Sequence, residues 1–329
     1  MRFSDFVKEW EMKYAKKELA PSTLRTYKFN LTNHILPVFG HLQFDKIKPI
    51  HLVTFFDDLS KPGSRKDGRE EPLSSGAIDA IHRAMRNVFK RAKEWQIIKK
   101  NIMVDIKKPK IEKTKMKFYD AEEAASVIKA LYQEPLMWRL LIFTGMFGGL
   151  RRGEILGLEW NDVDFEERTL SINKNIPLTL NGEPVIEEPK TKSSKDIVKM
   201  PLWYMDELKK YKIEWDNQKE SAEDLWVEKN YEFIFHGGQG KPIYYTYPSE
   251  WWTRFLNKNR LKKIRFHDLR HSCASLLIEE NVPLKKIQEH LRHSMYQTTA
   301  DIYTHITKKS KEDTADTFNK FSPEINEVK

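Results

Sequence analysis

A chain of 329 residues, 40% of them hydrophobic, is too long for one compact core and suits two domains of ordinary size. Its single cysteine, Cys273, excludes an intrachain disulfide and a cysteine-built metal site; the start MRFSDFVKEWEMKY lacks the apolar run of a signal peptide; and no uncharged apolar stretch reaches about 18 residues, so a reducing cytoplasm is expected. The net charge of +9 is unevenly spread, with 26 Lys and Arg against 14 Asp and Glu in residues 1–117, the footprint of a segment that tracks a phosphate backbone.

Phe3, Phe6, Val7, Trp10 and Tyr14 recur at helical spacing and predict a first helix. Pro21 and Ser22 open a second, carrying Leu24, Tyr27, Leu31 and Ile35, and Pro49 starts a third. A fourth begins near Ser75. Its apolar face is Ile78, Ile81, Met85, Val88, Phe89 and Ala92, while Arg83, Arg86, Lys90 and Lys93 stack along another side at steps of three and four. A basic stripe is often only the wet face of a helix; in a segment this positive it is expected to lie along DNA phosphates.

Residues 1–104 are therefore expected to form a helical domain, and 105–118, DIKKPKIEKTKMKF, rich in lysine and without apolar periodicity, a linker. Asp120 as N-cap with Glu123 at the capping-box position opens a second domain, whose first helix runs through Val127 and Leu131. An apolar helix over 136 to about 147, a glycine-rich turn, a short helix over 153–158 and strand-like stretches at 163–165, 170–172 and 185–188 follow. Helices return after Ser249.

Residues 265–306 hold five of the ten histidines: His267, His271, His290, His293 and His305. His267 and Arg270, three apart, are expected on one helix face, projecting together, with Leu269, Cys273 and Leu276 on the apolar side. His293 ends a helix over 284–291, and Tyr303 lies in a helix over 298–306. His267 and His271 have the i,i+4 spacing that chelates zinc, but the H-E-x-x-H form is absent and Arg270 beside the pair repels a cation. Taken singly these histidines read as ordinary hydrogen-bonded residues; grouped with arginine and tyrosine they point to one site.

The run HDLRHSCASLLIEENVPLKKIQEHLRHSMYQTTADIYTHI resembles, from end to end, the second signature region of the tyrosine recombinase (phage-type integrase) family. That family's H-x-x-R, G-H and Y fall on His267, Arg270, His293 and Tyr303. Upstream, TGMFGGLRRGEILGLEWNDVDF is similar to the first signature, which makes Arg151 the catalytic arginine and gives Glu154 the task of orienting the helix. EEPKTKSSKDIVKMP resembles the strand-turn-strand hairpin that presents the family's catalytic lysine, at Lys190 or, since such loops vary in length, Lys192. The match covers about residues 120–306 and fills all six catalytic positions.

The resemblance implies a mainly α fold with a small β-sheet. A helical core-DNA-binding (SAM-like) domain over 1–104, an α+β catalytic domain over 119–307 and a tail helix over 308–329 would form a C-shaped clamp on double-stranded DNA. It implies a site-specific recombinase that cleaves and rejoins strands through a 3′-phosphotyrosyl link, for integration or excision of a phage or mobile element. The expected setting is the bacterial cytoplasm and nucleoid, as a homotetramer with accessory excision or DNA-bending proteins, and with no cofactor, metal or membrane. Arg151 and Arg270 would hold the phosphate oxygens, His293 donate to them, Tyr303 attack, His267 take its proton and Lys190 protonate the leaving 5′-hydroxyl. Phe318 and Phe321 in the tail would dock on a neighbouring protomer. A type IB topoisomerase or a silent DNA-binding regulator would share these features. Two departures stand out: Arg292 replaces the glycine before the signature histidine, demanding either a backbone without positive φ or tolerated strain, and the early start of the first helix leaves no room for an arm-site domain.

Overall fold

Aromatic side chains at helical spacing organise the first part of the chain. The computed structural model describes residues 1–108, 110, 116–187, 196–227 and 231–292, and its contacts divide the chain into two units, Met1–Thr114 and Lys115–Lys329. Lys190, Lys192, His293, Tyr303, the helix expected over 298–306 and the tail with Phe318 and Phe321 lie outside the described residues.

In the first unit, helix α1 (Phe3–Trp10) continues through a π-type turn, Glu11–Ala15, to Glu18. Helix α2 (Pro21–Asn30) has proline in its first turn, where a missing N–H costs nothing, and extends through Leu31–Ile35 to Phe39. Helices α3 (Pro49–Leu59) and α4 (Ser75–Glu94) complete the bundle, α4 capped by the Ser74 hydroxyl, which accepts the Ala77 N–H at 3.2 Å. All six expected apolar residues of α4 are buried. Phe44 joins them, its ring 4.8 Å from Phe89 and 5.0 Å from Phe3, so a short turn outside the main helices closes the core.

The second unit opens with α5 (Ala121–Leu131). Its capping box is reciprocal: Glu123 N–H donates to Asp120 Oδ1 at 2.9 Å and Asp120 N–H to Glu123 Oε2 at 3.1 Å. Helix α6 (Leu136–Met146), apolar apart from Arg139 and Thr144, runs through the core; Leu140, Leu141, Ile142 and Phe143 are all fully buried. A glycine turn leads to α7 (Arg152–Leu156). Strands β1 (Val163–Asp164), β2 (Thr169–Ile172) and β5 (Asp196–Lys199) form one antiparallel sheet with β2 central, while β3 (Asn175–Leu180) and β4 (Glu183–Glu187) form a separate antiparallel pair. Asn181 (φ 51°) and Gly182 (φ 83°) make the two-residue turn between β3 and β4, the left-handed conformation that suits hairpin twist. Helices α8 (Leu202–Ala222), α9 (Tyr247–Lys258), α10 (Asp268–Glu279) and α11 (Leu284–Leu291) follow.

The lysine hairpin expected over 187–201 takes another form. The strands flanking residues 188–195 do not pair with each other: β4 is captured by β3 through the Asn-Gly turn, and β5 pairs with β2, placing Val198 opposite Leu170 in the core. Strand β3 and the 21-residue α8 are additions to the expected elements, whereas β5 falls on the second strand of the expected hairpin.

One glycine of the turn before α7 has a steric reason. Gly149 has φ +61°, and a Cβ there would lie 2.5 Å from Leu291 Cδ2. Gly149→Ala should therefore lower stability by about 2–4 kcal/mol, combining a left-handed backbone penalty with overpacking. Gly76→Ala, in open space on α4, should instead raise it by about 0.5–1 kcal/mol. Urea midpoints of the two variants check both signs.

Candidate active site

Arg151 stands at the N-cap of α7 with extended backbone, φ −74° and ψ 150°. Glu154, one turn into the helix, holds it twice: Arg151 N–H donates to Glu154 Oε2 at 2.9 Å, and Nη1 donates to Oε1 at 2.7 Å. The carboxylate lies beneath the surface while the guanidinium side chain remains 47% exposed, so the cation points outward from an anchored base. Burial alone would raise the pKa of Glu154, but Arg292 and Arg151 hold it below the usual carboxylate range.

The pair expected to project together differs in exposure. His267 occupies the residue just before α10 and its side chain is exposed, whereas Arg270, in the first turn, is 3% exposed. His267 already has helical backbone angles, φ −63° and ψ −26°, and its carbonyl accepts the Arg270 N–H at 3.2 Å, so the two are neighbours that differ in exposure. Arg270 Nη1 donates to the Gly149 carbonyl and Nη2 to the Leu291 carbonyl, tying the glycine turn to the end of α11. Burial and then the positive charges of Arg151 and Arg292 pull its pKa down, with Glu154 opposing. A guanidinium stays protonated at neutral pH all the same. The result is a cluster of three guanidinium groups near the Glu154 carboxylate, whose remaining charge calls for an anion.

Partial loss of solvent, followed by the charge of Arg270, lowers the pKa of His267, with Asp268 opposing, so its ring is neutral at pH 7 and able to take a proton. The His271 ring stands edge-on to it, centroids 5.3 Å apart. Among the described residues no three His, Cys, Asp or Glu side chains are grouped to hold a metal ion. Burial, then His267, pushes His271 down to about 4. Unfolded, His271 gains a proton as pH falls below 6.5; folded, it resists until about 4, so acid favours the unfolded chain. Stability should hold above pH 6.5 and fall between 6.5 and 4, His271 contributing at most about 3 kcal/mol. Urea unfolding of wild type and His271→Asn across that range should show a flatter profile in the variant.

Two of the three consecutive residues at the end of α11 bond to the first signature segment directly, and the third reaches it through Arg270. The His290 ring lies 2.7 Å from the Phe147 carbonyl oxygen, the Leu291 carbonyl accepts from Arg270, and Arg292 Nη2 donates to Glu154 Oε2 at 2.5 Å. Arg292 does adopt the left-handed conformation, φ 55° and ψ 45°, so the alternative of a backbone without positive φ is excluded. Next to Arg151 and His267 lies a cleft of about 610 Å³ whose lining carries no carboxylate among the described residues. Arg152 stacks 3.7 Å over the Tyr245 ring and donates to Ser249 Oγ at 2.6 Å, and Arg265 is forked on Asp268. Sequence reasoning missed Arg152 and Arg265 as site residues, although the twin arginine beside Arg151 and the arginine at the head of the histidine-rich run were visible signals.

In the first unit Arg83, Arg86, Lys90 and Lys93 are all exposed. Arg83 lies 3.0 Å from the buried Asp79 and Lys90 lies 3.8 Å from Glu94, while Arg86 and Lys93 form no ion pair among the described residues. No described helix is long and apolar enough to cross a membrane.

Comparison with known proteins places these features in one family. The profile of the phage integrase family matches residues 117–310, and that of the phage integrase N-terminal SAM-like domain matches residues 2–60. A tyrosine recombinase described as XerC-like from Caldanaerobacter subterraneus subsp. tengcongensis is 29% identical over 335 residues, covering 96% of this chain and 82% of the relative. The ICEBs1 integrase of Bacillus subtilis is 27% identical, covering 90% and 77%. In fold, the chain is similar to the Tn1549 transposon integrase, solved with transposon right end DNA, at a TM-score of 0.72 and 18% identity over 94% of this chain and 98% of that one. It is also similar to a lambda integrase dimer bound to a core site, at 0.65 and 16% over 91% and 97%. The chain belongs to the phage integrase family and is a tyrosine recombinase, an enzyme that cleaves and rejoins DNA.

Proposed function

We propose that this recombinase acts at specific duplex sites to integrate or excise a phage or other mobile element. The observation that carries the reading is the excess of positive charge where the two signature segments meet: Arg151, Arg270 and Arg292 near the carboxylate of Glu154, beside a neutral His267. A phosphodiester brings the missing negative charge. Arg151 and Arg270 engage its non-bridging oxygens and oppose the charge that builds on them during attack, with His293 as a further donor. Tyr303 Oη attacks phosphorus, its proton passing to His267; the bond to the 5′-oxygen breaks, and Lys190, with Lys192 as the second candidate, supplies the proton that oxygen takes up. The 3′-phosphotyrosyl link keeps the energy of the broken bond, and rejoining runs the same steps in reverse on a new 5′-hydroxyl. Chemistry of this kind needs no cofactor.

The solved structures of similar fold include a lambda integrase tetramer bound to a Holliday junction, which supports a homotetramer on two sites, and the integrases of phages and mobile elements among the relatives support that biological role. Wild-type protein incubated with duplexes carrying a nick one nucleotide from the cleavage point should accumulate a covalent adduct whose peptide maps to Tyr303. Strand exchange that needs two sites supports a recombinase; relaxation of supercoils without a second site would make the enzyme a topoisomerase instead.

The stripe Arg83, Arg86, Lys90 and Lys93 is proposed to contact DNA phosphates. Replacing Arg86 and Lys93, the two without ion pairs among the described residues, by Gln should weaken binding to all sequences and reduce the slope of log K against log salt by roughly 0.9 for each lost contact. A slope unchanged across 50–300 mM salt counts against a phosphate role.

A further inference from the structure

Arg292 carries chemistry that its position does not require. Its backbone, at φ 55°, sits where glycine is the least strained residue. Arginine there loses conformational ease, so the side chain must supply something else. Its side chain is only 5% exposed, against 47% for Arg151, so it lies behind the cleft rather than in it. It reaches Glu154, 138 residues away in sequence, and shares Oε2 of that carboxylate with the backbone N–H of Arg151, while Oε1 takes the Arg151 guanidinium.

Resting on the site assignment above, we propose that Arg292 is a positioning residue for cleavage, which fixes the Glu154 carboxylate and through it the Arg151 guanidinium that receives the scissile phosphate. The geometry favours this over a filling role. A buried carboxylate facing Arg151 alone could rotate with that flexible, half-exposed partner; a second cation behind it fixes both oxygens. Arg292 also follows His290 and Leu291, which are tied to the Phe147 carbonyl and to Arg270. The ion pair thus adds to the His290–Phe147 contact a second one between the end of α11 and the segment 147–154, with Arg270 bridging Leu291 to Gly149 between them. A charged residue replaces backbone freedom with a direct bond between the two signature segments.

The test uses the full chain and a nicked suicide duplex. Arg292→Gly relaxes the backbone and deletes the cation; Arg292→Asn deletes the cation but keeps a residue that tolerates the left-handed conformation; Arg292→Lys keeps the charge. The glycine and asparagine variants should fold, bind the duplex within twofold of wild type and lose about 10- to 100-fold in the single-turnover cleavage rate, the scale of a misplaced reacting group. Lysine should recover most of that loss. In a Glu154→Gln background, Arg292→Gly should cost less than twofold more, because the two act through one contact. Cleavage within twofold of wild type in Arg292→Gly, or a loss in glycine that asparagine does not share, would overturn the proposal while Arg151→Ala remains inactive. Normal cleavage by Arg151→Ala as well would overturn the site assignment beneath it.

Discussion

Tyr303→Phe should bind its duplex site as tightly as wild type and form no covalent adduct on a nicked substrate. The reasoning starts from the phenol. With a solution pKa near 10, a tyrosine is a weak nucleophile at pH 7 and needs a positive field and a proton acceptor to attack phosphorus. Both are present without it: Arg270 is buried with its charge, Arg151 is anchored outward by Glu154, and the pKa of His267 is lowered so that its ring is neutral. Removing one oxygen leaves that field intact, so binding persists while the only atom able to form the link is gone. Cleavage should fall below detection, a loss of more than about 10⁴-fold, since water positioned by the same arginines can replace a nucleophile only poorly. Gel-shift affinity and denaturing-gel adduct yield, measured on the same preparation, separate the two effects. An adduct persisting in Tyr303→Phe would move the nucleophile to another residue.

The parts of this protein that were legible in its sequence are those written locally. Proline at the start of α2 and α3, the Asp120 and Glu123 capping box, and the apolar face of α4 each depend on residues within one or two turns. The 21-residue α8 was equally local yet passed over. Tyr204, Met205, Leu208, Tyr211 and Trp215 mark its buried face after Pro201, but so many charged residues stand between them that the stripe is narrow. Asn181-Gly182 was also a readable hairpin signal, and missing it led to the wrong pairing for β4.

What was not legible depends on contacts across the unit. Helix α10 buries Asp268, Arg270, Ser272 and Ser275, so polarity misstates which of its faces is inside. Periodicity placed Arg270 outward because arginine is seldom buried without a charged partner. Its actual partners are two carbonyls, 121 and 21 residues away. The sequence likewise marked Arg292 as a departure, but the carboxylate that makes use of it could be found only in three dimensions.

Arg270→Lys should reduce cleavage by about 10²–10³-fold while changing duplex affinity only a few-fold. Two of the guanidinium's donors are committed to Gly149 and Leu291 oxygens, and the fork leaves others for a phosphate from the same rigid plane. Lysine has three donors on a single nitrogen and cannot hold both carbonyls and both phosphate oxygens at once. Its ammonium would also have to stay charged beside Arg151 and Arg292, which already pull the pKa of the native guanidinium down. For lysine that environment favours loss of the proton, and with it the field on the phosphate. The same electrostatics provides a check that needs no DNA. An anion bound beside Arg151 in the wild-type protein offsets the repulsion among the three guanidinium groups, so sulfate should raise the melting temperature more than sodium chloride at equal ionic strength. That difference should shrink in Arg270→Lys and in Arg151→Gln, but persist in variants of the α4 stripe. Should Arg270→Lys cleave within tenfold of wild type, a fork of donors at this position is not what the phosphate requires.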